Sequence, residues 1–380
     1  MKKILPLIFV ITMLFAGGIF SSCKKHINGP PDDTSHKCDT CCDTCKKDTS
    51  HHPPCDTCNL NKDSLAHAFV WTEYINKIPG ETNLTGVWVF GPNDIMICAN
   101  SLYHFDGSNF TLIHCIRNGT NPVSMDGALN GNTIFAFSKT DFWLVHGSVA
   151  YHTIDGQHFD DFRPGTTNAC WGSSPNDVYI VGNGGQIHHF DGTSFTQMTS
   201  NTTKDLHSVW GTSNSNIWAA GFNSQTAESV LLHFDGNNWA NQDLSQLGGK
   251  IGVGGDGVGS VWTFDSSFHK KVFVGGGYLY RETDNNPWMR DSAITGNSLN
   301  DGSFIAINFI RGNSVPDYMV AGDWGFVSHW NGKTWKRYDA LLNSGDPNYA
   351  TQAFHYTGNT ACIVGFRDGQ SWMAVGTRKQ

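Results

Sequence analysis

One phrase recurs along the chain, and it limits what the chain can fold into. Trp171-Gly172-Ser173-Ser174-Pro175-Asn176-Asp177 leads to His189-Phe190-Asp191-Gly192 and then Phe195. Trp88 to Asp94 leads in the same way to His104-Phe105-Asp106-Gly107 and Phe110. Trp210-Gly211-Thr212-Ser213 leads to His233-Phe234-Asp235-Gly236 and Trp239. Looser copies run from Phe142 to Phe159, from Trp262 to Trp288 and from Arg311 to Trp335. The turn aspartate or its stand-in falls at 106, 155, 191, 235, 284 and 331, at intervals of 36 to 49 residues. Self-similarity at such a period marks an array of supersecondary units, each too thin to bury its own apolar face.

Each unit reads as four short strands. The first is an apolar run such as Ser208-Val209-Trp210, followed by turn residues such as Ser174-Pro175-Asn176-Asp177. The second is Val178-Tyr179-Ile180-Val181, after which Gly182, Gly184 and Gly185 let the chain reverse. The third ends at Asp191-Gly192, a dipeptide that tolerates the positive φ of a tight hairpin. The fourth starts at Phe195, whose ring can cover that hairpin. Packing such sheets side by side in a ring buries both faces of each, the logic of a β-propeller. A further unit starts near Ala353 and has three strands before the chain ends. Phe69 to Tyr74 reads as the missing fourth. The expectation is therefore an all-β propeller over residues 67–380, of seven four-stranded blades at about 45 residues each, with the N-terminal strand closing the last blade. Six or eight blades are the alternatives, because two units are degenerate.

Composition agrees. Only 15% of the 380 residues are charged, while there are 42 glycines and 13 tryptophans, which suits short strands and tight turns more than helices. The formal net charge is −8 and no basic run occurs in the main domain, so nucleic acid is not an expected partner.

The N-terminus gives an address. Met1-Lys2-Lys3 precedes an almost wholly apolar run from Ile4 to Phe20, and then Ser21-Ser22-Cys23. Small residues before a cysteine at the end of an apolar run resemble the lipobox of bacterial lipoproteins, although Phe20 stands where that box usually has leucine. The resemblance implies a signal peptide over residues 1–22 and lipidation of Cys23. It also implies a bacterial cell-envelope protein, anchored to a membrane (the outer one on this reading) and facing periplasm or exterior. An ordinary secretory signal or an uncleaved anchor is the alternative.

Between this segment and the repeats lies a Cys-, Asp- and Thr-rich stretch. Cys38 and Cys41 bound one Cys-Asp-Thr-Cys unit, Cys42 and Cys45 a second, and Cys55 and Cys58 a third. Such spacing can place thiolates on one zinc ion. The stretch has almost no apolar residues to shell a metal, and an exported chain meets an oxidising environment. Residues 23–66 thus read as a disordered stalk with local or shuffled disulfides, with zinc binding or a redox role as the alternatives, and no other cofactor is expected.

The Trp-Gly-x-Ser-x-Asn-Asp-Val…His-Phe-Asp-Gly-x-x-Phe/Trp pattern resembles repeats of exported bacterial β-propeller proteins. It is also similar to the Asp-box turn of sialidase-like propellers. The resemblance implies the fold and leaves the activity open. Arg163 lies in Phe162-Arg163-Pro164, faintly similar to a sialidase stretch, but Arg117, Arg281, Arg290, Arg311 and Arg337 read as loop or outer-strand residues. Asp106, Asp191 and Asp235 are expected to hold hairpin geometry. His104, His189, His233 and His329 are expected to pack on the third strand, and Cys98, Cys115, Cys170 and Cys362 to be buried thiols. Gly252 to Gly257 superficially resembles a phosphate-binding loop, but no helix follows it. Asp323 and Trp324 break the repeat, and an exposed loop aromatic there would suit a sugar or protein contact. The expected function is a non-catalytic binding module for a protein or glycan, working through one face of the ring. The alternative is a carbohydrate-active enzyme, which would need convergent carboxylates at one mouth of the channel.

Overall fold

The structure, a computed structural model, describes residues 67–129, 133–223, 225–226, 228–244, 260–266, 269–276, 278–283, 286–295, 306–341 and 348–379. The signal segment and Cys23 lie outside the described residues, as do Gly252–Gly257 and the Asp284-Asn285 turn. So do the six stalk cysteines, Cys38, Cys41, Cys42, Cys45, Cys55 and Cys58, for which both the disulfide and the zinc expectation therefore stand as sequence readings.

Among the described residues, every element longer than a single 3₁₀ turn is a strand. After β1 (Phe69–Ile75) come β2 (Gly86–Gly91), β3 (Asp94–Cys98), β4 (Leu102–Phe105) and β5 (Phe110–Ile113) in one antiparallel sheet. A second sheet holds β6 (Ile116–Arg117), β7 (Val123–Ser124), β8 (Thr133–Ala136), β9 (Phe142–His146), β10 (Val149–Thr153) and β11 (His158–Phe162). The third is β12 (Ala169–Ser174), β13 (Asp177–Val181), β14 (Ile187–Phe190) and β15 (Phe195–Met198). The fourth is β16 (Asp205–Ser213), β17 (Asn216–Phe222), β18 (Ser229–Phe234) and β19 (Trp239–Asn241). The fifth is β20 (Ser260–Ser266), β21 (His269–Gly275), β22 (Tyr278–Thr283) and β23 (Asn286–Thr295). The sixth is β24 (Ile307–Ser314), β25 (Asp317–Gly322), β26 (Val327–Trp330) and β27 (Trp335–Arg337). The seventh joins β28 (Tyr349–Thr357), β29 (Thr360–Arg367) and β30 (Gln370–Arg378) to β1.

Six of these sheets are four-stranded. The second is not: its order is β7-β6-β11-β10-β9-β8, with β6 running parallel to β11. This corrects the expectation of four strands in every blade. The physical reason lies in the connection after β5, where Cys115, Met125 and Leu129 are buried and hold an extra hairpin against the outer edge.

The first strands of the sheets neighbour one another in a closed cycle, β2 beside β8, then β12, β16, β20, β24, β28 and β2 again. The second strands sit between neighbouring sheets, so both of their faces are covered. Val178, Tyr179, Ile180 and Val181 are all buried, as a short unbroken apolar run requires. Aromatic side chains join one sheet to the next. Trp143 on β9 meets Phe190 and Phe195 at 5.1 and 5.8 Å, and Tyr179 on β13 meets Phe234 and Trp239 at 5.7 and 6.4 Å. Tyr74 on β1 meets Phe105 and Phe110 at 4.9 and 6.0 Å. Contacts of this kind add about 0.5–1.5 kcal/mol each beyond area burial.

The two ends of the described chain meet in one sheet. β1 runs antiparallel to β30, from Phe69 opposite Arg378 to Ile75 opposite Trp372. Gly376 makes room for the Trp71 indole, which a Cβ there would meet at 2.7 Å. A buried polar cluster ties this sheet to the sixth. Asp317 Oδ1 accepts from His329 Nε2 at 2.8 Å, Tyr356 Oη at 2.8 Å and Arg378 Nη2 at 2.5 Å, while Asn313 donates to Oδ2 at 2.9 Å. Burial alone would raise the Asp317 carboxyl, but these donors and the Arg378 charge hold it below its usual range.

Deleting residues 1–75 should expose the β30 edge and lower the melting temperature by more than about 10 °C or cause aggregation. Deleting residues 1–66 should do neither. Differential scanning calorimetry and gel filtration of the two truncations check this; equal behaviour would contradict the seam.

Candidate binding site in the central channel

The repeated histidines have a fixed partner. His104 Nε2 lies 2.8 Å from Asp94 Oδ1, His189 Nε2 2.7 Å from Asp177 Oδ1, and His329 Nε2 2.8 Å from Asp317 Oδ1. His152 does the same with Asp141 at 3.0 Å, and His233 with the Asn216 side-chain oxygen at 3.0 Å. A carboxylate only accepts, so Nε2 carries the proton in each aspartate pair. The imidazoles also stack on second-strand aromatics, His152 on Trp143 at 4.2 Å, His189 on Tyr179 at 4.6 Å and His233 on Trp218 at 4.3 Å. The pairs lock the third strand to the start of the second. The sequence places the histidines on that strand without pairing them to the aspartates of the Asn-Asp turn, which recur ten to twelve residues earlier.

Asp106, Asp191 and Asp235 each accept two backbone N–H groups through Oδ1, from the residues two and three places on, at 2.7–2.9 Å. Those bonds hold all three carboxyls below their usual range. Each carboxylate is thereby engaged in its own hairpin. The four described cysteines, Cys98, Cys115, Cys170 and Cys362, are buried free thiols, and burial pushes the Cys115 thiol up to about 12.

Asp323 and Trp324 sit in a 3₁₀ turn, Asp323–Gly325, after β25. Trp324 is half-buried and packs against two apolar clusters, so part of the ring stays exposed in this turn. It occupies the place of Gly184 in the third sheet and shares its left-handed backbone, φ +51° against +64°. A tryptophan in that conformation is uncommon, and its packing offsets the strain. Asp323 Oδ1 accepts from Asn308 Nδ2 at 2.6 Å.

The ring of first strands encloses a narrow channel. Its waist, about 110 Å³, is lined by His207, Ser208, Ser260, Asn308, Gln352 and His355 among others. It continues, past Trp88, Arg311 and His355, into a mouth of about 360 Å³ walled by Phe137, Trp210 and Trp262. Arg311 is half-buried at the junction. Its guanidinium lies over the Trp210 ring at 4.3 Å, and Nη1 donates to the Ile310 carbonyl at 2.7 Å. Burial lowers its pKa to about 10, which leaves it charged at neutral pH. His355 is buried beneath Trp88, ring centroids 4.1 Å apart, and its Nδ1 accepts the Val89 N–H at 3.2 Å. Burial, reinforced by the nearby Arg311 charge, lowers its pKa to about 3, so it is neutral. His207 is lowered too, by burial against the opposing influence of Asp205, and its Nε2 has no hydrogen-bond partner among the described residues.

No Asp or Glu is among the described residues lining waist and mouth, so the carboxylate pair that an enzyme of the sialidase-like layout would need is not found there. No group of three potential metal ligands occurs among the described residues. The expectation of Arg311 on a loop or outer strand is corrected: it stands on β24, an innermost strand. Alignment of the repeats on the aspartate that follows Asn93, Asn176 or Pro316 reveals the reason. Arg311 lies six residues before Asp317, as Trp88 does before Asp94 and Trp171 before Asp177. An arginine thus replaces the first-strand aromatic in one unit.

No family model and no curated protein matches the chain. Solved structures do. A structure described as YCF48 bound to D1 peptide superposes with a TM-score of 0.56 at 13% identity, over 82% of this chain and 95% of that one. YCF48 from Cyanidioschyzon merolae gives 0.53 at 15% identity, over 79% and 98%. The fold is a β-propeller. The extracellular domain of the hybrid two-component system BT3049 from B. thetaiotaomicron gives 0.53 at 10% identity, over 77% of this chain and 40% of that one. At these identities the likeness concerns the fold.

The neutral His355 links the channel to stability. Unfolded, it protonates near pH 6.5; folded, only near pH 3. Between these values the unfolded chain binds more protons, so stability falls as pH drops below 6.5. Between pH 7 and pH 5 this residue should cost about 2 kcal/mol. His67, His188, His207 and His329 are lowered as well and act in the same direction. Urea midpoints should fall over this range in the wild type and fall measurably less in His355→Gln. An identical pH slope in the two proteins would contradict the assignment.

Proposed function

We propose that the protein is a non-catalytic binding propeller, tethered to a bacterial cell envelope by lipid at Cys23, that takes a protein ligand at the mouth of its central channel. The observation that carries this reading is the mouth itself. Trp88, Trp210, Trp262 and Phe137 surround one positive charge on Arg311, with no acidic residue in the described lining. Aromatic rings and arginine are the side chains that most often dominate binding energy, and they do so from recessed, partly desolvated positions. A described lining without carboxylates suits recognition and lacks the carboxylate pair of glycoside hydrolysis.

Two further observations support the reading. One solved propeller that superposes along most of this chain is described as bound to a peptide. The Phe20-Ser21-Ser22-Cys23 sequence and the long polar stretch after it suit display of a folded head away from a membrane. The three Cys-Asp-Thr-Cys units, from Cys38 to Cys58, belong on this reading to that tether.

Panning a displayed random-peptide library on residues 67–380 tests the function. Enrichment of one peptide class, with binding reduced at least about tenfold by Trp210→Ala, is expected. Failure of any peptide to enrich, together with turnover of a glycan panel, would replace this reading with the enzymatic one.

A further inference from the structure

The lining of the channel narrows the chemistry of what enters it. Resting on the binding role proposed above, we propose that the waist is a site for a carboxylate group, seated on Arg311, whose attached apolar or aromatic body fills the tryptophan-lined mouth.

Charge selects the head group. Arg311 is the one fixed charge in the described lining, in a chain whose overall balance is −8. No carboxylate among the described residues pairs with it. One guanidinium nitrogen is used on the Ile310 carbonyl, and an arginine has five N–H donors in a planar fork. The remainder have no protein partner among the described residues, at a position lining both waist and mouth, where a desolvated cation without a counter-charge is unfavourable. The partner of such a fork is a planar anion bound by two parallel hydrogen bonds, which describes a carboxylate. His355 uses Nδ1 to accept the Val89 N–H and is held neutral, so it adds no second positive charge. A phosphate dianion would therefore be left half-compensated in a narrow, low-dielectric space.

Donors and volume agree. His207 lines the same waist, and its Nε2 is buried without a hydrogen-bond partner among the described residues. Ser208, Ser260, Asn308 and Gln352 add polar groups around it. A waist of about 110 Å³ holds roughly three or four water-sized groups, enough for a carboxylate and the carbon bearing it. The mouth, at about 360 Å³, is the size of a single large side chain or small ring system with its neighbours. Trp210 is already held in place by the Arg311 charge over its face, so little ordering remains to be done on binding.

The test uses two probes that differ only in the head group, N-acetyl-phenylalanine and its neutral amide, titrated against intrinsic tryptophan fluorescence at pH 7 and low salt. The carboxylate is expected to bind at least about tenfold more tightly than the amide, and inorganic phosphate to compete poorly. Arg311→Gln should abolish the preference, and Arg311→Lys, which keeps the charge without the fork, should retain part of it. If Arg311→Gln does not fold, the lysine variant and the carboxylate–amide ratio of the wild type decide the matter. Equal binding of acid and amide, binding of neither up to their solubility limits, or tighter binding of phosphate would each overturn the carboxylate assignment. These outcomes are separable from failure of the protein-binding role. A peptide enriched from a display library that still depends on Trp210, but binds as well when amidated, would keep that role and remove this inference.

Discussion

The pairing of β1 with β30 is the interaction on which the rest depends. A ring of thin sheets has no stable intermediate size, because each sheet buries its faces only between two neighbours. Leaving one gap would expose two apolar faces and two unpaired strand edges at once. Seven register pairs from Phe69–Arg378 to Ile75–Trp372 close that gap with the two ends of the described chain. The closure is reinforced on both sides: Tyr74 reaches the hairpin aromatics of the first sheet, and the Asp317–His329–Tyr356–Arg378 cluster reaches into the sixth. Such a cluster is fully engaged or costly, so it favours one register over slipped alternatives.

Closure also creates the channel. Residues as far apart in sequence as Trp88, Trp210, Arg311 and His355 share one lining only because the first strands of all the sheets stand around one axis. The same geometry sets their chemistry. Arg311 stays charged while His355 is held neutral, chiefly by its burial and secondarily by the Arg311 charge beside it. On the proposed reading, recognition would arise from substituting one packing position, with the surrounding scaffold unchanged.

Much of the fold was legible because its signals are local. The Asp-Gly hairpins, the buried second strands and the outer strand at Phe69 all declare themselves within a few residues. The extra hairpin of β6 and β7 did not, since two-residue strands carry no periodicity and depend on the edge that β11 offers. The site was far less legible. Arg311 was visible as a residue but not as a channel residue, because placing it requires aligning repeats by turn and knowing which strand lies innermost. Trp324 was visible as a departure from the repeat, but its packing against two clusters could not be read from the sequence. The histidine–aspartate pairs were hidden by a separation of ten to twelve residues, spanning a turn whose geometry only pairing reveals.

Native-state hydrogen exchange on the β1–β30 seam tests the central claim most directly. Amides of Val70, Thr72 and Tyr74 should exchange as slowly as those of Met373, Val375 and Thr377 opposite them, and should open with them in one cooperative step. Fast exchange across β1 while β30 stays protected would show a ring that stands without its closing strand, and would contradict the account.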